Sequence, residues 1–583
     1  MNDQLIRKLF RSTLTIQVCS ALTVVLGVFV DGAVTGGCLG AKAMASYGFA
    51  LPMATITSGL ASLFATGISV LCGQTISTGD KEGTNRIFSQ CLTAALGISV
   101  ILAAAGILGA EQLAGLLGAD RGSLPETANY LRGFMLGVPG LFAMFILMPI
   151  MQIDGDRNRA VIAICCNMGV NITLDLLNGF VFRRGLFVMA LATTAGTYVG
   201  LGVLLLHFRK GNIMFRFKLT KPTGRVLKEM LPYGFADTLQ QTSRSVMNIC
   251  LNWILMSVSG PLAVSAFSAI FTASTLCMAL GVGIGETTAV INSVLVGEKN
   301  EESIRNLAKI ALKSTLIYNV LLIVALFVLA SPFMKLFLNS EPEALDLATT
   351  GFRLFIGSIL FYGFNTFWQA FYQSMKLIRL SYAYAVLNNF ICIVLSAFLM
   401  SRLWGLTGVW LSFAVGEILS LLIIILWNVS HNKGNTLFDK MLCIDDRFRG
   451  NILSSRGWSC ASLNEAVSVS EAIRSYCNSE GAPSRIAFAL SLAAEELCTN
   501  ILHYGFADGK PHSIDLMVTR LTDGWMMRIR DDCQLFNPVQ YVQLFDESDP
   551  SAHIGIRLTR GLIRKIDYIS ALKLNNLLLE IDS

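Results

Sequence analysis

Four acids stand inside apolar runs, where a chain seldom places them. Asp31 lies in VFVDGAVTGG, Asp175 in NITLD, Glu286 in VGIGETTAV and Glu417 in FAVGEILSL. An ionisable side chain in hydrocarbon costs about 2.5–3.5 kcal/mol on insertion scales, so those that persist usually line a cavity or pair with one another. Asn171 and Asp175 are spaced i, i+4 and so share one face of a helix. With Asp31 they offer carboxylate and amide oxygens, a set that suits a hard cation or a transferable proton. Thr193 and Thr194 lie in the next run and could add a hydroxyl, although a Thr in a membrane helix more often bonds back to its own turn. A competing role for Asp31 is to cap a helix break, because Gly32 and Gly36 follow it. Glu286 and Glu417 are costly unless they face a cleft, which makes them candidates for a substrate cavity.

Such groups need a membrane body to hold them, and the composition supplies one. The 583 residues are 53% hydrophobic and only 14% charged, against about 25% charged in soluble domains. A soluble enzyme of this size is excluded, and a net charge of +6 gives no sign of nucleic-acid binding. A bilayer crossing takes about 20 apolar residues. Twelve candidate runs meet this, near 14–37, 45–76, 88–110, 127–151, 160–182, 186–207, 230–257, 262–296, 308–330, 346–374, 381–400 and 405–428. The first follows Arg7, Lys8 and Arg11 without a small-residue cleavage site, so it reads as a retained helix. Every second loop is rich in Lys and Arg, with Arg183-Arg184 the exception. By the positive-inside rule both ends of the chain are then cytoplasmic, in a bacterial-type inner or plasma membrane. The fourteen Cys lie mostly in apolar runs without metal-ligand spacing and read as small buried hydrophobes.

The body repeats itself. GCLGAKAMASYGFA (37–50) resembles VSGPLAVSAFSAIF (258–271), pairing Gly40 with Gly260 and Ala43 with Ala263, and GDKEGTNR (79–86) resembles GEKNEESIR (297–305). The offset of about 220 residues leaves six runs in each half. An even number gives both halves the same orientation, so two parallel lobes are expected, with a cleft between them suited to alternating access. The last 144 residues hold 33 charged ones, where the preceding 439 hold 51, so the tail has soluble composition. The expected organisation is an N-terminal lobe 1–207, a basic linker 208–229, a C-terminal lobe 230–430, a linker 431–450 and a cytosolic domain 451–583. Within the tail, helices are expected near 461–477, 484–505 and 554–566, and strands near 512–521, 525–533, 567–572 and 575–581. The fold class is therefore all-α polytopic membrane protein plus a C-terminal α/β sandwich with a mostly antiparallel sheet.

VDGAVTGGCLGAKAMASYGFALP (30–52) resembles the first-span signature of the multidrug and toxic compound extrusion transporters, the MATE family. The likeness continues through GDKEGTNR, LLGAD (116–120), ANYLR (128–132), DGDRNRA (154–160), NITLD (171–175), ALATT (190–194) and GLTGVW (405–410). It implies two six-helix lobes in the lipid bilayer and export of small organic, often cationic, compounds in exchange for inward Na⁺ or H⁺. The family's first-lobe cation site corresponds to Asp31, Asn171, Asp175 and Thr193. The acid that some members carry in span 7 has no match here, since Asp237 lies too near the end of that run.

EELCTNILHYGF (495–506) resembles the first motif of the GHKL ATPases, in particular the small serine kinases that act on anti-sigma-factor systems. The resemblance makes Glu496 a base, Asn500 a holder of Mg²⁺ between phosphates, and Asp531 in RIRDDCQLFNP (528–538) the acceptor of an adenine amino group. HIGIRLTRGLIRKIDYIS (553–570) resembles the glycine-rich phosphate segment, with Gly555 its remaining early glycine. The expected glycines after Asp531 are Cys533 and Leu535, and His553 replaces the leading glycine of the last motif. Glycines let backbone approach phosphate closely, so these departures weigh against turnover of a bound ATP/Mg²⁺. Together these readings describe a cation-coupled antiporter with a cytosolic regulatory domain, which binds a cytosolic regulatory protein or the transporter itself. A membrane-embedded signalling protein with a serine-kinase tail is one alternative. A lipid-linked oligosaccharide flippase is another, and the buried acids argue against it.

Overall fold

A computed structural model describes residues 3–77, 81–154, 156–209, 215–297, 299–339, 341–434, 436–444, 451–506, 512–534, 564–571 and 574–582. The chain forms two compact units. One comprises Ile16–Glu286 and Lys313–Ile424, the other Met1–Thr15, Thr287–Leu312 and Ile425–Ser583.

The first half of the membrane body runs α1 (Asp3–Leu39), α2 (Ala41–Ser77), α3 (Lys81–Leu108), the short α4 (Ala110–Leu116), α5 (Leu124–Ile153), α6 (Arg157–Leu177) and α7 (Leu186–Leu205). The second half runs α8 (Gly224–Ser259), α9 (Pro261–Gly297), α10 (Glu301–Val328), the short α11 (Ala330–Lys335), α12 (Pro342–Phe355), α13 (Ser358–Ser374), α14 (Ile378–Val386) and α15 (Cys392–His431). The internal repeat is visible in the backbone. α3 and α10 start 220 residues apart, as do α4 and α11. Gly40 and Gly260 end the first helix of each half at φ 93° and 73°, and Gly185 and Gly405 recur at the same step with φ 78° and 55°. Only glycine takes this left-handed region without a Cβ penalty.

Among the described residues, nine helical stretches are individually long and apolar enough to cross a membrane, and the pair α12–α13, bent by 48°, makes a tenth. Two features account for the twelve runs read from the sequence. Ile378–His431 counts as one stretch, yet its backbone leaves the helix at Trp404 and Gly405, between the runs 381–400 and 405–428. α8 covers the run 230–257, but it carries Arg225, Lys228, Glu229 and Arg244 with several amides and is not among the nine.

Small residues let the halves touch. A Cβ added at Gly48 of α2 would lie 1.7 Å from Ser268 Oγ of α9, and one at Gly36 of α1 would lie 2.0 Å from the Phe337 carbonyl oxygen. Further along α2 the same holds between Gly234 of α8 and the Leu63 backbone, at 2.1 Å. Such contacts gain dispersion where lipid offers no hydrophobic drive between helices.

In the second unit, a five-stranded antiparallel sheet has the order β1-β2-β3-β5-β4, with β1 Ile452–Cys460, β2 Ile514–Leu521, β3 Gly524–Asp531, β4 Lys565–Ala571 and β5 Leu574–Asp582. Helices Leu463–Ser479 and Ser484–Asn500 bury Ile473, Cys477, Leu490 and Ala494 against Leu516, Val518, Met527 and Ile529 of the sheet. Ser462 caps the first of these helices by accepting from the Glu465 N–H. β1 was not expected from the sequence, because as an edge strand with five exposed positions it lacks a clean apolar alternation. Of the helix expected at 554–566, residues 554–563 lie outside the described ones, and Lys565 and Ile566 belong instead to β4.

Candidate functional site

The first-lobe cluster is assembled by three helices. α1 supplies Asp31, α6 supplies Asn171 and Asp175, and α7 supplies Thr193. The α6–α7 corner is fixed by Asn178, which donates to the Gly185 carbonyl (3.1 Å) and accepts from the Arg184 N–H (3.0 Å). α6 widens there into a π turn, Asn178–Phe182, and Gly196 lets α7 close on the Asn171 Cβ. Asn171 Nδ2 donates to Asp175 Oδ2 at 3.0 Å and to Thr193 Oγ1 at 3.2 Å. Asp31 and Asp175 lie within hydrogen-bonding reach of each other. Asp175 is fully buried and Asn171 nearly so. One buried oxygen of each acid, Asp31 Oδ1 and Asp175 Oδ1, finds no donor. Two carboxyls in contact repel unless a proton or a cation stands between them. Tyr47 and Tyr130, edge to face at 5.5 Å, close the cluster on its α2 and α5 side, within electrostatic range of both acids. Thr194, the neighbour of Thr193, points elsewhere and donates to the Gly133 carbonyl at 2.9 Å.

A second cluster lines a cavity of about 470 Å³ bounded by α1, α8, α9, α13 and α15. Glu286 and Glu417 both stand on its wall, together with Gln17, Arg244, Tyr362 and Asn389. Glu417 is buried. It accepts from Asn365 Nδ2, whose amide oxygen takes the Tyr384 hydroxyl. Ser420 donates to Asn388 Oδ1 at 2.7 Å. Arg244 donates to Asn389 Oδ1 (3.2 Å) and to the Tyr362 hydroxyl (3.1 Å), with Glu417 within range of its charge. Sequence reasoning found the two acids and missed Arg244, Asn365, Asn388, Tyr362 and Tyr384. The signal for Arg244 was present, since a cation inside the run 230–257 is as costly as an acid there. Asn365 and Tyr384 carried none, because neutral polar residues are common in membrane helices. Gln17 of α1 also lies on the cavity wall.

In the tail, Glu496 and Asn500 occupy the last turn of helix Ser484–Asn500 and are half-buried. Asp531 ends β3, where its Oδ1 accepts from Asn575 Nδ2 (2.7 Å) and the Cys533 N–H (3.1 Å). Burial pushes the Asp531 carboxyl above its ordinary range, against the pull of the Asn575 bond. The two motifs meet where Gly505 abuts Cys533. Leu535, His553 and Gly555 lie outside the described residues, as does the side chain of Asp237. No group of three or more His, Cys, Asp or Glu among the described residues could hold a metal ion.

The MatE family model matches residues 18–177 and 238–399, more than half of the chain. The chain belongs to the MatE family. Its tail matches the histidine kinase-like ATPase domain over residues 460–580. Among curated relatives, the multidrug export protein MepA of Staphylococcus aureus (strain MRSA252) is 22% identical over 63% of this chain and 81% of its own length. MepA of Staphylococcus saprophyticus is 24% identical over the same shares. A solved inward-facing MATE transporter of the MOP superfamily superposes with TM-score 0.66 at 21% identity, over 71% of this chain and 96% of its own. This MATE protein is thus a multi-pass membrane protein of the multidrug efflux family, with an ATPase-like domain fused behind the transporter body.

Proposed function

We propose that this MATE protein exports small organic compounds, predominantly cationic, by alternating access in exchange for inward Na⁺ or H⁺. The observation that carries the reading is the Asp31–Asp175 contact with its two undonated buried oxygens. A cation or proton entering there relieves the repulsion between the acids and favours one arrangement of the lobes. Asn171 and Thr193 would complete its oxygen shell. The substrate would occupy the cavity between α1 and the second half, where Glu286 and Glu417 offer negative charge to an organic cation and Phe271, Phe413 and Tyr362 offer apolar surface. The Lys/Arg bias of alternate loops supports a cytoplasmic location for both ends of the chain in a bacterial-type inner membrane.

The tail would regulate this cycle. Lys8, at the start of α1, pairs with Asp532, the residue after Asp531. Lys299 Nζ donates to Asn451 Oδ1 at 3.2 Å, and Asn300 Nδ2 approaches Met517 Sδ at 3.3 Å. The same helix α1 carries Asp31, so a change at the tail has a covalent route towards the proposed cation site. Asp531 fits the base end of a nucleotide, because one of its oxygens is fixed by Asn575 and Cys533 while the carboxyl stays polar in a buried site. Bound ATP would add phosphate charge and Mg²⁺ at Asn500. With Cys533 and Leu535 in place of glycines, binding as a signal is favoured over phosphate transfer by Glu496.

The test is dye efflux from vesicles with Na⁺ and pH gradients imposed separately, for the full chain and for a version ending near residue 435. Efflux driven by one gradient and altered by truncation is the expected result. Efflux indifferent to both gradients would overturn the coupling.

A further inference from the structure

A second large cavity lies away from both clusters. It measures about 830 Å³ and runs along the outside of the first lobe, where α3 and α7 both pack on α5 and leave a groove between them. Leu96 of α3, Leu147 of α5 and Leu201 and Leu205 of α7 form its walls, and Arg216 and Phe217 form its mouth. Leu205 is about half exposed, so the groove opens laterally.

The mouth is built by the linker between the lobes. Phe215 is fully buried and stacks edge to face on Phe88 at 5.4 Å. The Arg216 N–H donates to Asn85 Oδ1 at 2.6 Å, the Lys218 N–H donates to Ser89 Oγ at 3.0 Å, and Ser89 donates back to the Arg216 carbonyl. These bonds strap residues 215–218 across the start of α3 and set the Arg216 side chain over an apolar slot. The segment carries seven basic residues, Arg209, Lys210, Arg216, Lys218, Lys221, Arg225 and Lys228, which by the positive-inside rule puts it at the cytoplasmic surface.

We infer that this groove is a binding site for an anionic phospholipid of the cytoplasmic leaflet, with an acyl chain in the α3–α5–α7 slot and the phosphate on Arg216. Three observations select that occupant. Among the described residues the charge on the wall is that of Arg216, a cation, which repels the organic cations proposed as cargo. Among the described residues the other polar side chain on the wall is Tyr198, whose hydroxyl hydrogen goes to the Leu136 carbonyl at 2.9 Å, so the wall offers a polar drug no side-chain donor besides Arg216. The slot is lateral and apolar at one end and cationic at the interface, which matches the amphiphilic axis of a leaflet lipid. A free phosphate would gain the arginine and none of the leucine surface.

Native mass spectrometry of the full chain, exchanged between phosphatidylglycerol and phosphatidylcholine of identical chains, tests this. One basic residue near an anionic surface is worth about fivefold in binding. The parent should therefore retain phosphatidylglycerol at least fivefold better than phosphatidylcholine. Arg216→Gln should bring that ratio close to one, and Lys218→Gln, whose side chain is not on the groove wall, should leave it. Ala143→Trp should block the slot and lower retention of both lipids. Equal retention of the two lipids by the parent overturns the inference, and so does an equal loss with Lys218→Gln, which would indicate diffuse attraction to the linker. If Ala143→Trp fails to fold, the paired glutamine variants still decide the matter, since both sites are exposed.

Discussion

Replacing one acid of the proposed cation site should cost as much as replacing both. Asp31 and Asp175 are in hydrogen-bonding reach, with Asn171 bridging Asp175 to Thr193. Two unit negative charges about 4 Å apart repel by roughly 4 kcal/mol at an effective dielectric of 20. An entering cation recovers that energy, which corresponds to about a thousandfold in affinity. Asp175→Asn keeps the shape and removes one charge, so the repulsion and its recovery both vanish. Asp31→Asn does the same from the other side. The expected result in gradient-driven dye efflux is a loss of coupled rate of tenfold or more in each single variant. The double variant should be no worse than either, because the pair acts as a unit. Dye binding measured without a gradient should change little. A single variant that keeps half the parent rate would refute the reasoning. A double variant whose loss is the product of the two single losses would refute it as well, since independent contributions mean no shared ion.

Glu417→Gln should weaken binding of a cationic dye by about tenfold, the scale of one charged hydrogen-bonding partner, while leaving the response to the ion gradient in place; an unchanged dye Kd by fluorescence anisotropy counts against substrate contact there. Gly48→Leu should push the lobes apart at the Ser268 contact, where a Cβ alone would come within 1.7 Å. Overpacking costs about 1–3 kcal/mol, and impermeant maleimide should then label the half-buried Cys38, near the Gly36–Phe337 contact, at least fivefold faster. Lys8→Glu and Asp532→Lys should each speed proteolytic release of the tail by up to about fivefold, the upper range for a half-exposed ion pair, and the double swap should restore protection. Burial opposes the charge of Asp532, but the Lys8 ammonium and the Ser513 N–H outweigh it and hold the carboxyl below its usual range. A depressed folded value means that this contribution is complete above the ordinary carboxylate range and is lost as pH falls through the folded value. Protection should therefore persist from pH 7 to pH 5 and fail only in stronger acid, and earlier failure would count against the pair.

The fold was legible where one physical rule governs a whole segment. Bilayer length and the cost of buried charge mark the spans and the acids, and the 220-residue repeat is marked by glycines at corners whose positive φ strains any other residue. The sequence motifs quoted for the family resolve into local mechanics. In DGDRNRA, Asp154 and Asp156 take the two ring nitrogens of the buried His207, at 2.7 and 2.8 Å, and Arg159 pairs with Asp156. In LLGAD, Asp120 Oδ1 accepts the Ser123 N–H and opens the turn into α5. What stayed hidden depends on partners far apart in the chain. Nothing local distinguishes Asn365 from a lipid-facing amide until Glu417, 52 residues away, is placed against it. β1 was invisible for a related reason, since its pairing with β2 joins Ser459 to Asp515 across the whole two-helix insertion.

The two halves share a backbone plan but not a charge plan, and this asymmetry supports the division of roles proposed above. In the first half both acids lie on one cluster, and the group bonded to Asp175 is the neutral Asn171 amide, which also donates to the Thr193 hydroxyl. Its negative charge must be met by something that arrives from outside. In the second half Glu417 stands within range of Arg244 and is bonded by Asn365, so its charge is shared with an internal cation while it still lines the cavity. Two acids in contact answer to ion concentration, whereas an acid partly balanced from within and set beside apolar surface answers to the charge and shape of an organic cation. On the function proposed above, ion binding is assigned to Asp31 and Asp175, and substrate binding to the cavity around Glu417. The linker that joins the halves also crosses the mouth of the lateral groove at Arg216. A lipid seated there would brace the first lobe on the side away from both clusters, leaving the motion to the interface where Gly48 meets Ser268.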